Sequence, residues 1–326
     1  MSTLNQTQLI KRVRRSAFLA DADANYTDAV ILEDLNDVMT QLYARAVIEA
    51  DQAVWQVTEY TPLVANQRSY RLPARAVMGT TMRQQITAVG NVDWWPVKDL
   101  SEADALRYEY GTASGSPVDA PTRKVVRGEN WWLLPPVAVS GGYVMRTHYM
   151  IRPSRICAAQ NNPLLNGIIS SINPTTRVVT VGATLQNIAE DGTGTNMTSG
   201  TFQLDIIRVG GWHKVQWTGT ATISGGTTIT LAADASGLSE ANDLSDIAVG
   251  DVVRAADQTD WPPLPADYHR SLADATAAKI LTARGMADRA AELSQAYVVP
   301  DLQRFGALLR PRDASSAFVF VAPEFC

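Results

Sequence analysis

The chain has 326 residues, 46% of them hydrophobic and 19% charged, with a formal net charge of −5. Such a length buries a substantial core and suggests two domains, while the longest apolar runs are too short to cross a bilayer. Met1–Arg15 lacks the apolar core and cleavage site of a signal peptide, and two cysteines, Cys157 and Cys326, make no disulfide framework, so the chain reads as made in a cytoplasm.

The charge is uneven. Gln160–Asp260 holds four basic and ten acidic residues, a net of −6, and the rest of the chain is at +1. Neither part has the net basic face of a sequence-independent DNA clamp.

In chain order, residues 7–20 and 27–50 read as two helices joined by a short loop. Val30, Ile31, Leu35, Val38, Met39, Leu42 and Tyr43 recur at helical spacing in the second, and Thr27 is placed to cap it, with Asp28 and Glu33 near the positive end of its dipole. The period then changes to two. Val54–Tyr60, Ser69–Leu72 and Ile86–Val89 read as strands, and Trp94-Trp95-Pro96-Val97 leads into a short helix capped by Ser101 with Asp104. Arg123–Val126 and Trp131–Leu134 flank the turn Arg127-Gly128-Glu129-Asn130, and Tyr143–Met150 is the last strand of one antiparallel sheet with one buried face.

Gln160–Asp260 contains 12 of the 21 glycines, so its fold must be rich in turns. Ile168–Ile172 and Arg177–Val181 enclose Asn173-Pro174-Thr175-Thr176, a hairpin signal. Phe202–Val209, Trp212–Trp217, Thr220–Ser224, Thr227–Leu231 and Val249–Val253 supply further strands of a small β-sandwich or barrel, whose two ends should lie side by side. After Pro265 the chain is helical again. Asp267 is placed to cap a helix ended by Gly285; a second runs over 287–298, and Pro300 interrupts it before Leu302–Leu309. The last segment, Ala317–Cys326, is β-prone and has no partner in sequence.

The pattern implies an α+β fold. A host domain, residues 1–159 and 261–310, combines a helical bundle with an antiparallel β-sheet. An all-β domain, 160–260, is inserted in it, and 311–326 forms a C-terminal arm. In that arm Phe318, Val319, Phe320, Val321 and Phe325 can add a strand to a partner's sheet edge or fold back on their own host.

No motif points to catalysis, a metal or a cofactor. His148, His213 and His269 are isolated, with no His-Glu-x-x-His or Cys-x-x-Cys pattern, and Trp212-His213-Lys214 reads as a surface stretch of strand. Gly192-Thr193-Gly194-Thr195 and Gly225-Gly226-Thr227 precede no helix and read as hairpin turns. The chain is therefore expected not to be an enzyme. Lys11, Arg12, Arg14 and Arg15 form the only dense basic cluster, either a solvated helix face or a contact for DNA or an acidic partner. The tandem pairs Trp94-Trp95 and Trp131-Trp132 put one ring on each side of a strand, one into the core and one available to a subunit interface.

The host segments resemble the head-to-tail adaptor proteins of tailed bacteriophages. The resemblance lies in the order of Tyr43-Ala44-Arg45, Gln67–Pro73, Pro96–Ser101, Ser114-Gly115-Ser116-Pro117, Leu133-Leu134-Pro135-Pro136, Tyr149–Pro153 and Leu264–His269, and covers about 210 residues. It implies a dodecameric ring at the head–tail junction of the virion that seats on the portal protein, receives the tail nozzle or tube and passes genomic DNA through its lumen, with no membrane contact and no cofactor. Two other readings remain open from the residues: a virion carbohydrate-binding or carbohydrate-active protein with Trp212 and Trp217 stacking sugars, and a tail-completion protein one layer below the adaptor.

Overall fold

A computed structural model describes residues 4–21, 23–44, 55–77, 82–89, 91, 93–110, 121–157, 167–189, 193–234, 238 and 242–309. The fold is mixed α+β with several antiparallel sheets. The α-helices are α1 (Gln6–Ser16), α2 (Asp28–Val38), α3 (Glu102–Tyr110), α4 (His269–Ala283), α5 (Ala287–Leu293) and α6 (Val299–Leu309). The chain forms two compact units: Met1–Trp55 with Pro153–Ala232 and Ser245–Cys326, and Gln56–Arg152 with Ala233–Leu244. This division differs from the expected one, because the β segment after residue 160 groups with the helices and the strands of 56–152 stand as a unit of their own.

That second unit holds β1 (Gln56–Pro62), β2 (Ser69–Arg71), β3 (Arg83–Ala88), β4 (Trp95–Pro96), β5 (Lys98–Asp99), β6 (Arg123–Arg127), β7 (Asn130–Leu134) and β8 (Tyr143–Met150). Period-two patterning predicts one sheet; the strands divide instead into two, β1-β8-β3-β4 and β2-β7-β6-β5, with β5 parallel to β6. The reason lies in β7. Its Trp131-Trp132-Leu133-Leu134 run is apolar on both faces, so it needs cover on both. Tyr70, Trp131 and Leu133 meet Ile86 and Met145 of the first sheet in one core. Val125, Leu134 and Trp132 meet Ala105 of α3 in another. The unit is thus layered sheet, sheet, helix, as apolar faces require. The expected cap of α3 is present: Asp104 N donates to Ser101 Oγ at 3.2 Å, and Ser101 Oγ donates to the Asp104 carboxylate at 2.7 Å.

The other unit holds β9 (Arg155–Ile156), β10 (Ile169–Asn173), β11 (Val178–Val181), β12 (Gln186–Ile188), β13 (Gly194–Asn196), β14 (Gly200–Ile207), β15 (Val215–Ser224), β16 (Thr228–Leu231), β17 (Val252–Ala255) and β18 (Gln258–Thr259). Six strands pair in the order β10-β11-β16-β15-β14-β17. The two edge strands also meet: Ile169 N donates to Asp251 O at 2.8 Å, and Val253 N to Gly167 O at 2.7 Å. The sheet therefore closes into a barrel, which leaves no exposed edge along that seam. Val179, Ile229 and Ile223 lie in register across β11, β16 and β15 and are buried. Leu204 and Ile206 of β14 complete the wall beside Val253. The ends of the segment run side by side as the parallel pair β9–β18. Asn36 of α2 holds that pair, accepting from Ile156 N at 2.8 Å and donating to Ile156 O at 3.0 Å.

The helices of this unit gather on α4. Asn5 and Gln8, at the Asn-x-x-Gln spacing of a helix start, form a capping box on α1, and Thr27 caps α2 as expected. Arg12 reaches Asp274 at 2.6 Å, and Lys279 reaches Asp34 at 2.7 Å and Asp37 at 3.0 Å. Three expectations for the helices fail locally. The helix predicted over 27–50 widens at Met39–Ala44 into a π turn, which carries Tyr43 Oη to within 2.6 Å of Ser271 Oγ, and its residues 45–50 lie outside the described residues. A second π turn, Ser294–Val298, joins α5 to α6 without a break, so Pro300 does not interrupt the helical run of 287–309. Asp267 lies inside a 3₁₀ turn, Ala266–Tyr268, and α4 starts without a side-chain cap. Gly285, at φ +75°, ends α4 as expected.

Candidate interaction surfaces

The four tandem tryptophans separate into different roles. Trp131 is 2% exposed and stacks on Tyr70 with ring centroids 5.0 Å apart. It is core, and its indole N–H finds no partner. Trp132 lies on the opposite face of β7 beneath Arg127, whose guanidinium carbon is 4.9 Å from the ring centroid. Trp95 is 45% exposed. Trp94 precedes β4, outside any strand, and packs on Tyr60 at 6.2 Å with the Arg146 guanidinium 4.2 Å from its centroid.

Strand register builds a surface around Trp94. Tyr60, Arg146 and Gln85 sit opposite one another across β1, β8 and β3, on the face away from Ile86 and Met145. Arg146 Nε donates to Gln85 Oε1 at 2.7 Å. On the next row of the same face Thr58 Oγ1 and His148 Nδ1 are 2.8 Å apart, beside Arg83. The result is a half-exposed face of one tryptophan, one tyrosine and a guanidinium over the indole, whereas Trp95, paired with Ile86, belongs to the opposite face of the sheet. Trp, Tyr and Arg are the residue types that dominate binding energy at protein interfaces. Sequence reasoning found Trp94 and Trp95 but not Tyr60, Arg146 or Gln85. Their juxtaposition depends on β8 lying between β1 and β3, and no local pattern encodes a strand order.

The basic cluster also divides. Arg14 is 6% exposed, donates to Asp28 at 2.6 Å and to Ala20 O at 2.8 Å, and so ties the end of α1 to the start of α2. Arg12 is spent on the buried Asp274, which Ser16 Oγ also reaches at 2.9 Å. Only Lys11 and Arg15 project as exposed cations from this helix. The arm residues Phe318, Val319, Phe320, Val321 and Phe325 lie outside the described residues.

The connection between β14 and β15 departs from its expected form. Trp212 and His213 belong to a turn rather than a strand. Gly210, Gly211 and His213 take positive φ values of 105°, 60° and 48°, so period-two reasoning does not apply. Trp212 packs on Phe305 of α6, with centroids 5.7 Å apart. His213 is buried, not a surface residue, and stacks on Trp261 at 5.6 Å with its ring 5.4 Å from His269. Trp217 covers Gly219 of its own strand, where an added Cβ would stand 2.8 Å from the indole. Trp212 and Trp217 therefore share no sugar-stacking platform.

His269 is fully satisfied: Nδ1 accepts from Leu4 N at 3.2 Å, which leaves Nε2 to donate to Leu264 O at 2.9 Å. Burial pushes its pKa below the ordinary histidine value. Burial, and then the neighbouring His269, push His213 down to about 4, and His213 Nε2 has no hydrogen-bond partner. Both imidazoles are neutral near pH 7. Among the described residues no cluster of three or more His, Cys, Asp or Glu side chains is arranged to hold a metal, and no helix is long and apolar enough to cross a membrane.

No protein-family model matches the chain, and no curated protein matches it significantly.

Proposed function

We propose that this protein is a structural component of a tailed-bacteriophage virion, an adaptor that forms a dodecameric ring between portal and tail and conducts DNA through its lumen. The observation that carries this reading is the docking of α1 and α2 onto α4. The N-terminal helices and α4 meet through Arg12–Asp274, Lys279–Asp34 and Tyr43–Ser271, although the β segments separate them in sequence. On this reading the helices are the host bundle of the adaptor and the barrel of 167–255 is an elaboration of it. The chain acts by assembly and not by catalysis, it is made in the host cytoplasm, and its partners are the portal protein, the tail nozzle or tube and further copies of itself.

A ring requires two different surfaces of each copy to meet. The Tyr60–Trp94–Arg146 face supplies one of them, and the exposed Trp95, on the opposite face of the same sheet edge, is a further candidate. Trp131 is removed from that role by its burial. Lys11 and Arg15 are the cations of the basic cluster left to meet passing DNA, and a lumen with few cations does not retard a genome by counterion release. The 311–326 arm docks on the portal or a neighbouring copy by strand addition.

Electron imaging and native mass measurement of the purified chain, alone and mixed with its portal, test the proposal. Closed rings of uniform copy number are expected in at least one of the two samples. A protein that stays monomeric in both sinks it.

A further inference from the structure

We propose that His213 and His269 form an acid-triggered latch that holds the β14–β15 turn, and with it one end of the barrel, against the start of α4. The inference goes beyond ring assembly and does not depend on it. Two features of the junction support it. The first is geometric. Gly210, Gly211 and His213 take positive φ, with the strain falling on His213, the one that is not glycine, and the turn is held down by two rings: Trp212 against Phe305, and His213 between Trp261 and His269. A non-glycine residue at positive φ costs about 1 kcal/mol and persists only where its surroundings hold it. The second is the absence of a counter-charge. A buried imidazole can be charged only beside a carboxylate or a good acceptor.

The charged groups around the pair do not supply one. Asp260, next to Trp261, is committed to Arg254. Asp251 accepts from Val209 N at 3.2 Å and Ala248 N at 2.9 Å, bracing the strand before the turn. Lys214, beside His213, is itself a cation held below its ordinary pKa by burial. Asp267 is exposed and acts on His269, and the Arg208 backbone offers His213 an acceptor that favours the charged ring but is outweighed by burial and by His269. From α4 the group facing His213 is His269, whose protonation adds a second positive charge. It also removes the acceptor for Leu4 N and frees the segment leading into α1.

The sign follows from linkage. His213 titrates near 4 in the closed state against 6.5 for an ordinary histidine, so the closed state binds fewer protons. Closure is therefore at full strength above pH 6.5 and weakens as pH falls toward 4. For that pair of values, the open-to-closed ratio rises about 50-fold between pH 7 and pH 4.5.

Hydrogen exchange of the full chain, corrected for the intrinsic pH dependence of exchange, reads the latch directly. The amides of Gly210–Lys214 should lose protection by roughly 50-fold between pH 7 and pH 4.5, and those of Leu4–Gln6 should lose protection in the same direction, while those of β11 and β16 keep theirs. His213→Asn tolerates positive φ without a titrating ring, and His213→Phe keeps the stacking. Both should reduce the change at the turn to less than about fivefold. The proposal is overturned if wild-type protection at the turn does not change with pH, if every amide of the unit loses protection together, or if both variants keep the wild-type slope. Should neither variant fold, the ring resonances of wild-type His213 decide: titration near 6.5 overturns the latch, and titration near 4 that tracks the loss of protection supports it.

Discussion

The two units bury adjacent aromatic residues in opposite ways. In the sandwich of 56–152, Trp131 and Trp132 stay on an extended strand, and alternation sends one ring to Tyr70 and the other beneath Arg127. In the barrel unit, Trp212 and His213 sit where the chain has already left β14, and both rings go to the helices. The difference is backbone conformation. A period of two holds only while φ and ψ stay in the β region, and two consecutive glycines at positive φ end that region at residue 210. The sandwich thus leaves an aromatic surface half-exposed, whereas the barrel packs its aromatic pair against α4 and α6.

Eight substitutions, in four groups, test that contrast. The largest expected effect is Trp131→Ala. Emptying a fully buried indole site between two sheets should lower the unfolding free energy by about 3–5 kcal/mol, read from urea midpoints, whereas Trp132→Ala should cost about half as much. An equal loss for the two would show that β7 does not divide its faces as described. Next is Gly167→Ala in the barrel. The added Cβ would stand 2.2 Å from the carbonyl oxygen of Val253, at a φ of +77°. This contact opens the closing seam and should cost about 2–4 kcal/mol, with loss of exchange protection along β10 and β17 and none along β7. A normal seam in the variant would argue against closure.

Arg12→Ala should follow at about 2–3 kcal/mol, because it leaves the carboxylate of Asp274, 1% exposed, with only the Ser16 hydroxyl in hydrogen-bond reach and Arg270 4.0 Å away. Lys11→Ala and Arg15→Ala, on the exposed side of the same helix, should stay within about 0.5 kcal/mol. If all three behave alike in thermal melts, the cluster is a solvated face throughout. The smallest effect on stability is expected for Trp95→Ala, below about 0.5 kcal/mol. Its consequence should appear instead in assembly, as rings lost under conditions where the wild type forms them. Rings of wild-type yield from Trp95→Ala and Trp94→Ala together would move the subunit contact away from these two tryptophans.

The sequence by itself determined the elements whose causes are local. Thr27 and Ser101 cap their helices, Gly128 turns β6 into β7, Gly285 ends α4, and Asn173–Thr176 turns β10 into β11, because each rests on chemistry within four or five residues. It also marked the two ends of the 160–260 segment, which run paired as β9 and β18. Tertiary structure decided what depends on partners distant in the chain. Two sheets form rather than one because Trp131 and Trp132 both need cover. The barrel closes because Gly167 and Val253 meet across 86 positions of sequence. Arg12 and Arg14 are structural because Asp274 and Asp28 lie against them, and His213 is buried because the turn folds onto Trp261 and His269. Hydrophobic burial is non-directional and hydrogen bonds need only proximity, so neither choice of partner leaves a signature in local periodicity.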